Sequence, residues 1–520
     1  MSEAVATASS KTIFGHPRGL LVLFFAEMWE RFSFYGMRGL LIFYLTQHFL
    51  FGDAHAASVY ASYGALVYLT PLIGGLIADR YLGFRKAVIF GAVLLCIGHF
   101  GMAIEGEPAR TTADGVQRDE WSLQIFYASL AFIIIGVGFL KPNISAIVGQ
   151  LYGPNDPRRD GGFTFFYVGI NLGATVAGIV VGYLGQTFGW AYGFGLAGVG
   201  MLVGLVTFIR GQRLFEGAGL PSDPVRLRAA VAAGITRERL IYLLGLVAVV
   251  GAWKLVQWHE LVGDLLTFAA VVTVGGLVLF AVLRLEPVDR DRLLVVLFLT
   301  AVSVVFWAFF EQAGSSMNLF TDRNVDRHAF GVDWRASQFQ SLNPAFILLL
   351  GPLFSMLWVG LSKRGWEPST PAKFGLGIVQ VGLGFAALVY GAHHADAQGL
   401  VAAGWVALAY LLHTTGELCL SPVGLSMVTR LSVPRVVGLM MGVWFLASAF
   451  SHYVGGLIAA GASTSEAGAT LSASESLAVY ADTFGYVAWV GVGVGAGVLI
   501  LAPLLKRFMH ETPDDPRETR

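Results

Sequence analysis

Long apolar runs alternate with short polar segments along nearly the whole chain. With a window of roughly 19 residues, about fourteen such runs emerge. They lie at 20–49, 58–78, 86–104, 121–149, 164–187, 191–209, 240–256, 261–283, 293–319, 338–360, 374–392, 402–429, 436–460 and 481–505. A helix of roughly 20 apolar residues crosses the hydrocarbon core of a bilayer. Lipid offers no partners to backbone N–H and C=O groups, so only helices and closed barrels span it. These runs are too long and too uniformly apolar for alternating barrel strands. The pattern therefore predicts an all-α integral membrane protein.

The polar segments give an orientation. Arg80, Arg85 and Lys86 follow the second run, Arg158 and Arg159 the fourth, and Arg210, Arg213, Arg226, Arg228, Arg237 and Arg239 the sixth. Arg284, Arg290 and Arg292 follow the eighth, Lys363 and Arg364 the tenth, Arg430 and Arg435 the twelfth, Lys506 and Arg507 the last. Alternate segments are neutral or mixed. The positive-inside rule then places both termini in the cytoplasm. The runs at 240–256 and 261–283 are flanked by basic linkers and fall midway along the chain. A pair of spans returns the chain to the same side, so it can be inserted without disturbing the surrounding topology. Six runs remain on each side, the layout of carriers built from two six-helix halves. The expected division is a tail 1–17, a first bundle 18–210, linkers with the inserted pair 211–290, a second bundle 291–508 and a tail 509–520.

Composition agrees. Hydrophobic residues make up 55% and charged residues 13%, against roughly 25% charged in soluble proteins. Net charge is zero, so nothing points to nucleic acid. Cys96 and Cys419 lie inside apolar runs and suggest neither a disulfide nor a metal centre. Residues 1–17 do not read as a cleaved signal. No phosphate-binding loop or nucleophile elbow is evident, so neither an enzyme nor a cofactor is expected.

The informative residues are ionisable groups within apolar runs. Glu27, Glu30, Arg31, Tyr35 and Arg38 recur every three or four residues and share one helix face. A charge near the bilayer centre costs on the order of 2.5–3.5 kcal/mol, so this stripe must face a polar interior or a buried ion-pair network. Lys141 precedes Pro142 deep in the fourth run; Glu311 and Glu417 lie in the ninth and twelfth. Four embedded carboxylates stand against three cations, Arg31, Arg38 and Lys141. The cheapest remedy for the unmatched carboxylate in a low-dielectric site is a proton. Asn171, Gln312, Asn343, Tyr35, Tyr68 and Trp444 add polar or amphipathic groups, each of which packs helices as readily as it binds a ligand.

The run Gly75-Leu76-Ile77-Ala78-Asp79-Arg80-Tyr81-Leu82-Gly83-Phe84-Arg85-Lys86 resembles the signature between the second and third helices of the major facilitator superfamily. Glu27-x-x-Glu30-Arg31-Phe32-x-x-Tyr35-Gly36 resembles the first-helix motif of proton-dependent oligopeptide transporters. Phe163-x-x-Phe166-Tyr167-x-x-Ile170-Asn171-x-Gly173 resembles their fifth-helix signature. Lys141-Pro142-Asn143, Phe306-Trp307 with Glu311-Gln312, and Gly416-Glu417-Leu418 with Ser421-Pro422 also match. The inserted helix pair is similar to that of bacterial members. Two departures stand out: Phe34 replaces a tyrosine, and Ala61 takes the place of a histidine known in animal relatives.

The resemblance implies a major facilitator fold of two six-helix bundles plus two inserted helices. It implies proton-coupled symport of di- and tripeptides by alternating access, in the bacterial inner membrane, with membrane lipid as surroundings and a monomer as the working unit. Glu27, Glu30, Arg31, Lys141 and Glu311 would couple protons, on carboxylates rather than a histidine. Arg38 and Lys141 would meet the peptide carboxylate; Glu417, Asn171 and Asn343 its ammonium. Tyr35, Tyr68, Gln312, Ser421 and Trp444 would line pockets. Arg38–Glu311 and Lys141–Glu417 would act as gates. Two other readings stay open, a same-fold carrier of nitrate or another small anion and a multi-span receptor.

Overall fold

A computed structural model of the chain describes residues 12–510 apart from 154, 233, 434, 467 and 468. Most of both expected tails, 1–17 and 509–520, lies outside the described residues. The helices, in chain order, are α1 Arg18–Phe43, α2 Asp53–Ile77, α3 Phe84–Met102, α4 Glu120–Gln150, α5 Arg159–Phe188, α6 Trp190–Gly211 and the short α7 Pro224–Arg228. There follow α8 Arg237–Gln257, α9 His259–Arg284, α10 Pro287–Phe310, α11 Ser316–Asn324, α12 Leu342–Lys363, α13 Thr370–His393, α14 Ala403–Leu431, α15 Val437–Gly461 and α16 Ala473–Phe508. Among the described residues, strands are confined to two-stranded ladders of two or three residues per strand.

Among the described residues, twelve helical segments are long and apolar enough to cross a membrane. To these α1 and α14 add 26 and 29 residues at the places of the first and twelfth runs. Both carry embedded charge, α1 with Glu27, Glu30, Arg31 and Arg38 and α14 with Glu417. Helix limits follow local chemistry more closely than hydropathy does. The last helix starts well before its apolar run because Ser472 and Glu475 form a capping box, Ser472 N–H donating to the Glu475 carboxylate at 3.0 Å. The run at 293–319 is one span, Pro287–Asn324, interrupted by a tight 3₁₀ turn at Glu311–Gly314.

The chain packs as two compact units. One comprises 1–37, 70–105 and 124–253; the other 38–69, 106–123 and 254–520. The division runs through α1 and α2. In the first unit, α5 lies on α1 so closely that a Cβ on Gly173 would strike the Met28 carbonyl. The inserted helix α8 belongs here. Lys86 ties its first turn down through Glu238 at 2.5 Å, and Phe90 packs against Tyr242. Beside these contacts lies an apolar cleft of about 380 Å³ lined by Thr70, Ile77, Ile135, Phe139, Ile241 and Leu244. Only 22% of the apolar window of α8 is buried, so most of its face is left for lipid. In the second unit α13 packs against α14 and α16, α10 against α15, and α9 against α15, where Gly263 meets the Tyr453 ring.

Candidate functional site

In the first unit the helical spacing of α1 stacks Glu27, Glu30 and Arg31 on one face. All three are buried, Glu30 completely. Arg31 Nε lies 3.1 Å from Glu27 Oε1 and also pairs with Glu30. One guanidinium thus serves two carboxylates away from water. Among the described residues, Glu27 Oε2 and Glu30 Oε1 accept no hydrogen bond. The Arg31 guanidinium sits 5.2 Å over the Phe34 ring. Phe34 is itself buried, so the missing hydroxyl belongs to a packing position under the arginine. Half-buried Lys141 on α4 lies close enough to act on the charge of Glu27. Pro142 supplies no N–H to the helix ladder, and the Asn143 side-chain amide donates to Phe139 O, one turn back, at 2.7 Å. Asn171 turns its amide onto its own helix, donating to Tyr167 O at 3.0 Å. Tyr35 is half-buried, edge-on to Phe34.

In the second unit Arg38 pairs with Glu311 and donates through Nε to the Tyr60 hydroxyl at 2.6 Å. The 3₁₀ turn presents Glu311 there, and Gly314 in that turn makes room: a Cβ would strike the Tyr60 hydroxyl. Gln312 is fully buried, its amide donating to Ala308 O and Gly455 O at 2.9 Å each and its carbonyl accepting from Ser316 at 2.6 Å. Ala308 and Ser316 belong to its own span, and the bond to Gly455 ties that span to α15. On the other side of Glu311, His452 Nε2 of α15 lies 3.7 Å from Oε1. Its ring leans on Tyr68 at 4.7 Å between centroids.

Nearer the start of α2 is a second ion pair. Asp53, almost wholly buried, receives Arg323 Nη1 at 2.6 Å and Nη2 at 2.9 Å, with Thr464 N–H donating at 2.9 Å. Tyr480 of α16 lies 3.4 Å from Arg323.

A third group lies on α12 and α14. Asn343 donates to Glu417 Oε2 at 3.0 Å and to Thr414 Oγ1 at 3.0 Å. Glu417 is half-buried. Ser421 and Trp444 are also half-buried, and the Trp444 ring lies against Gly424.

Of the residues named from the sequence, the structure brings together Glu27, Glu30 and Arg31, then Arg38 and Glu311, then Asn343 and Glu417. Tyr60, Asp53, Arg323 and His452 were not among those named. A signal for His452 was present: it is ionisable and sits inside the apolar run 436–460. The expectation that coupling here involves no histidine considered only the second helix.

Comparison with known proteins adds an independent line. The profile described as the POT family matches residues 85–472. Peptide transporter YePEPT of Yersinia enterocolitica is 37% identical over 88% of this chain and 90% of its own length. Dipeptide and tripeptide permease A of Chromobacterium violaceum is 32% identical over 98% of each chain. Among solved structures, a peptide transporter POT in complex with sulfate superposes with a TM-score of 0.81 at 33% identity, covering 96% of this chain and 98% of the other.

Proposed function

The chain belongs to the POT family, and on that premise we propose that it is a proton-coupled symporter taking up di- and tripeptides by alternating access. The observation that carries the reading is the buried α1 group, two carboxylates on one guanidinium. Such an arrangement is stable either with a further cation nearby or with a proton on one carboxylate. Lys141 supplies the cation. A proton on Glu27 or Glu30 releases Lys141 from that duty and frees it to bind a peptide carboxylate. Proton and substrate are then linked through one shared charge.

The remaining groups take roles that suit their surroundings. Glu417, oriented by Asn343, offers an anionic oxygen to the peptide ammonium. A carrier for nitrate alone has no use for a carboxylate there. Arg38–Glu311 acts as a gate that opens when the pair breaks. We further propose that both termini face the cytoplasm of a bacterial inner membrane, following the basic loops, and that the protein works as a monomer.

The test uses Glu30→Gln, which mimics the protonated acid. In proteoliposomes it abolishes accumulation of labelled dialanine under an inward proton gradient but spares counterflow against unlabelled dialanine. Accumulation at the wild-type level would place the coupling proton elsewhere. Competition by nitrate instead of dialanine would favour the anion carrier.

A further inference from the structure

The Glu311 carboxylate has a basic group on each side. Arg38 pairs with one oxygen, and His452 Nε2 lies 3.7 Å from the other. We propose that His452 is a proton-carrying residue of the symport reaction, taking up a proton beside Glu311 and thereby loosening the Arg38–Glu311 pair. The assignment rests on the symport reading above.

His452 is placed with care by its surroundings. It is 5% exposed on a helix that carries no Asp, Glu, Lys or Arg. Its ring lies directly on the backbone of Gly64; a Cβ there would sit 2.6 Å from Nδ1. Tyr68, one turn further along α2, leans against the same ring. These contacts hold the imidazole so that Nε2 faces the carboxylate. A histidine that merely filled space would have no need of an acidic neighbour, and a histidine that bound substrate would not be packed against glycine backbone.

The ionisable groups around this point come from several helices. Glu311 stands at the end of α10, Arg38 on α1, Tyr60 and Tyr68 on α2. Tyr410 of α14 is near enough to interact with Arg38 and Tyr60. The contacts that α9 and the body of α10 make with neighbouring turns of α15, Gly263 on Tyr453 and the Ala308 carbonyl near Gly455, add only the phenol of Tyr453, whose ordinary titration lies far above this range. With imidazole neutral, one cation and one anion balance. When Nε2 takes a proton, an imidazolium and a guanidinium share a single carboxylate, repel each other, and the hold of Arg38 weakens. Transfer of that proton to Glu311 Oε1 leaves a neutral imidazole and a neutral carboxyl group, which no longer retains Arg38. The N–H bond broken is replaced by the O–H bond formed, and no other reactant is needed. Histidine is the side chain whose ordinary titration falls between pH 5 and 8, the range across which a proton gradient operates.

The experiment compares wild type, His452→Gln and His452→Asn in proteoliposomes, with dialanine uptake measured at constant pH difference while the external pH is varied between about 5.5 and 7.5. Wild-type uptake is expected to rise as the external pH falls, and both variants to lose this rise, with accumulation at the acid end falling to the level seen at the neutral end. Counterflow is expected to persist in both. An unchanged pH profile would overturn the proposal. So would loss of counterflow together with accumulation in both variants, which marks a packing role. Failure of the wild type to accumulate dialanine would instead overturn the symport reading and this assignment with it.

Discussion

Glu417 tests the residue-scale account of substrate recognition. Asn343 fixes one carboxylate oxygen at 3.0 Å, which orients the group without neutralising it. Glu417→Gln keeps the shape and removes the charge. A hydrogen bond to a charged group contributes roughly 1.5–3 kcal/mol, so dialanine binding should weaken by about tenfold or more, while N-acetyl-dialanine, lacking the ammonium, changes little. Equal losses for both compounds, measured by calorimetry, would remove Glu417 from that role. Outside the membrane spans, His328 offers a pH reading at the same scale. The Asp333 carboxylate 2.7 Å away raises its pKa above the usual histidine value. The pair therefore contributes stability below the ordinary histidine pKa and loses it as pH rises through the raised one. Histidine NMR should show His328 titrating higher in wild type than in Asp333→Asn; identical titrations would contradict this.

At the scale of the element, the interesting features are interruptions. Pro142 breaks the ladder of α4 beside Lys141, and the 3₁₀ turn Glu311–Gly314 breaks the span Pro287–Asn324 beside Arg38. Freed backbone and tight turns place charge where a regular helix would not. The proline was visible in the sequence. The 3₁₀ turn was not, because Phe310-Glu311-Gln312-Ala313-Gly314 carries no strong helix breaker until its last residue. Asp53–Arg323 was hidden for a different reason: its partners are 270 residues apart, and each looks ordinary alone. Breaking such a buried pair costs roughly 3–5 kcal/mol. Asp53→Asn should lower the melting temperature in detergent by several degrees, and Asp53→Asn with Arg323→Gln should restore part of the loss. A double variant less stable than either single one would show that the two residues do not act as a pair.

For the whole molecule, hydropathy alone carried the all-α membrane architecture, since the bilayer imposes one period and one length on every span. Embedded charges marked the α1 group, because charge in lipid is too costly to be incidental. Partners were less legible. A single chain shows which residues are out of place but not which meet, and Gln312, which ties its span to α15 through Gly455, looks no different in sequence from Asn343, which holds a carboxylate. His452 carries the same signal, an ionisable group inside an apolar run, but its acidic partner lies on a distant span.

The central claim is that peptide and proton enter together. Its most direct measurement traps a pH-sensitive dye inside proteoliposomes held at symmetric pH and adds dialanine outside. The account predicts internal acidification that depends on dialanine and disappears in Glu30→Gln. Entry of labelled dialanine with no change in internal pH would contradict it.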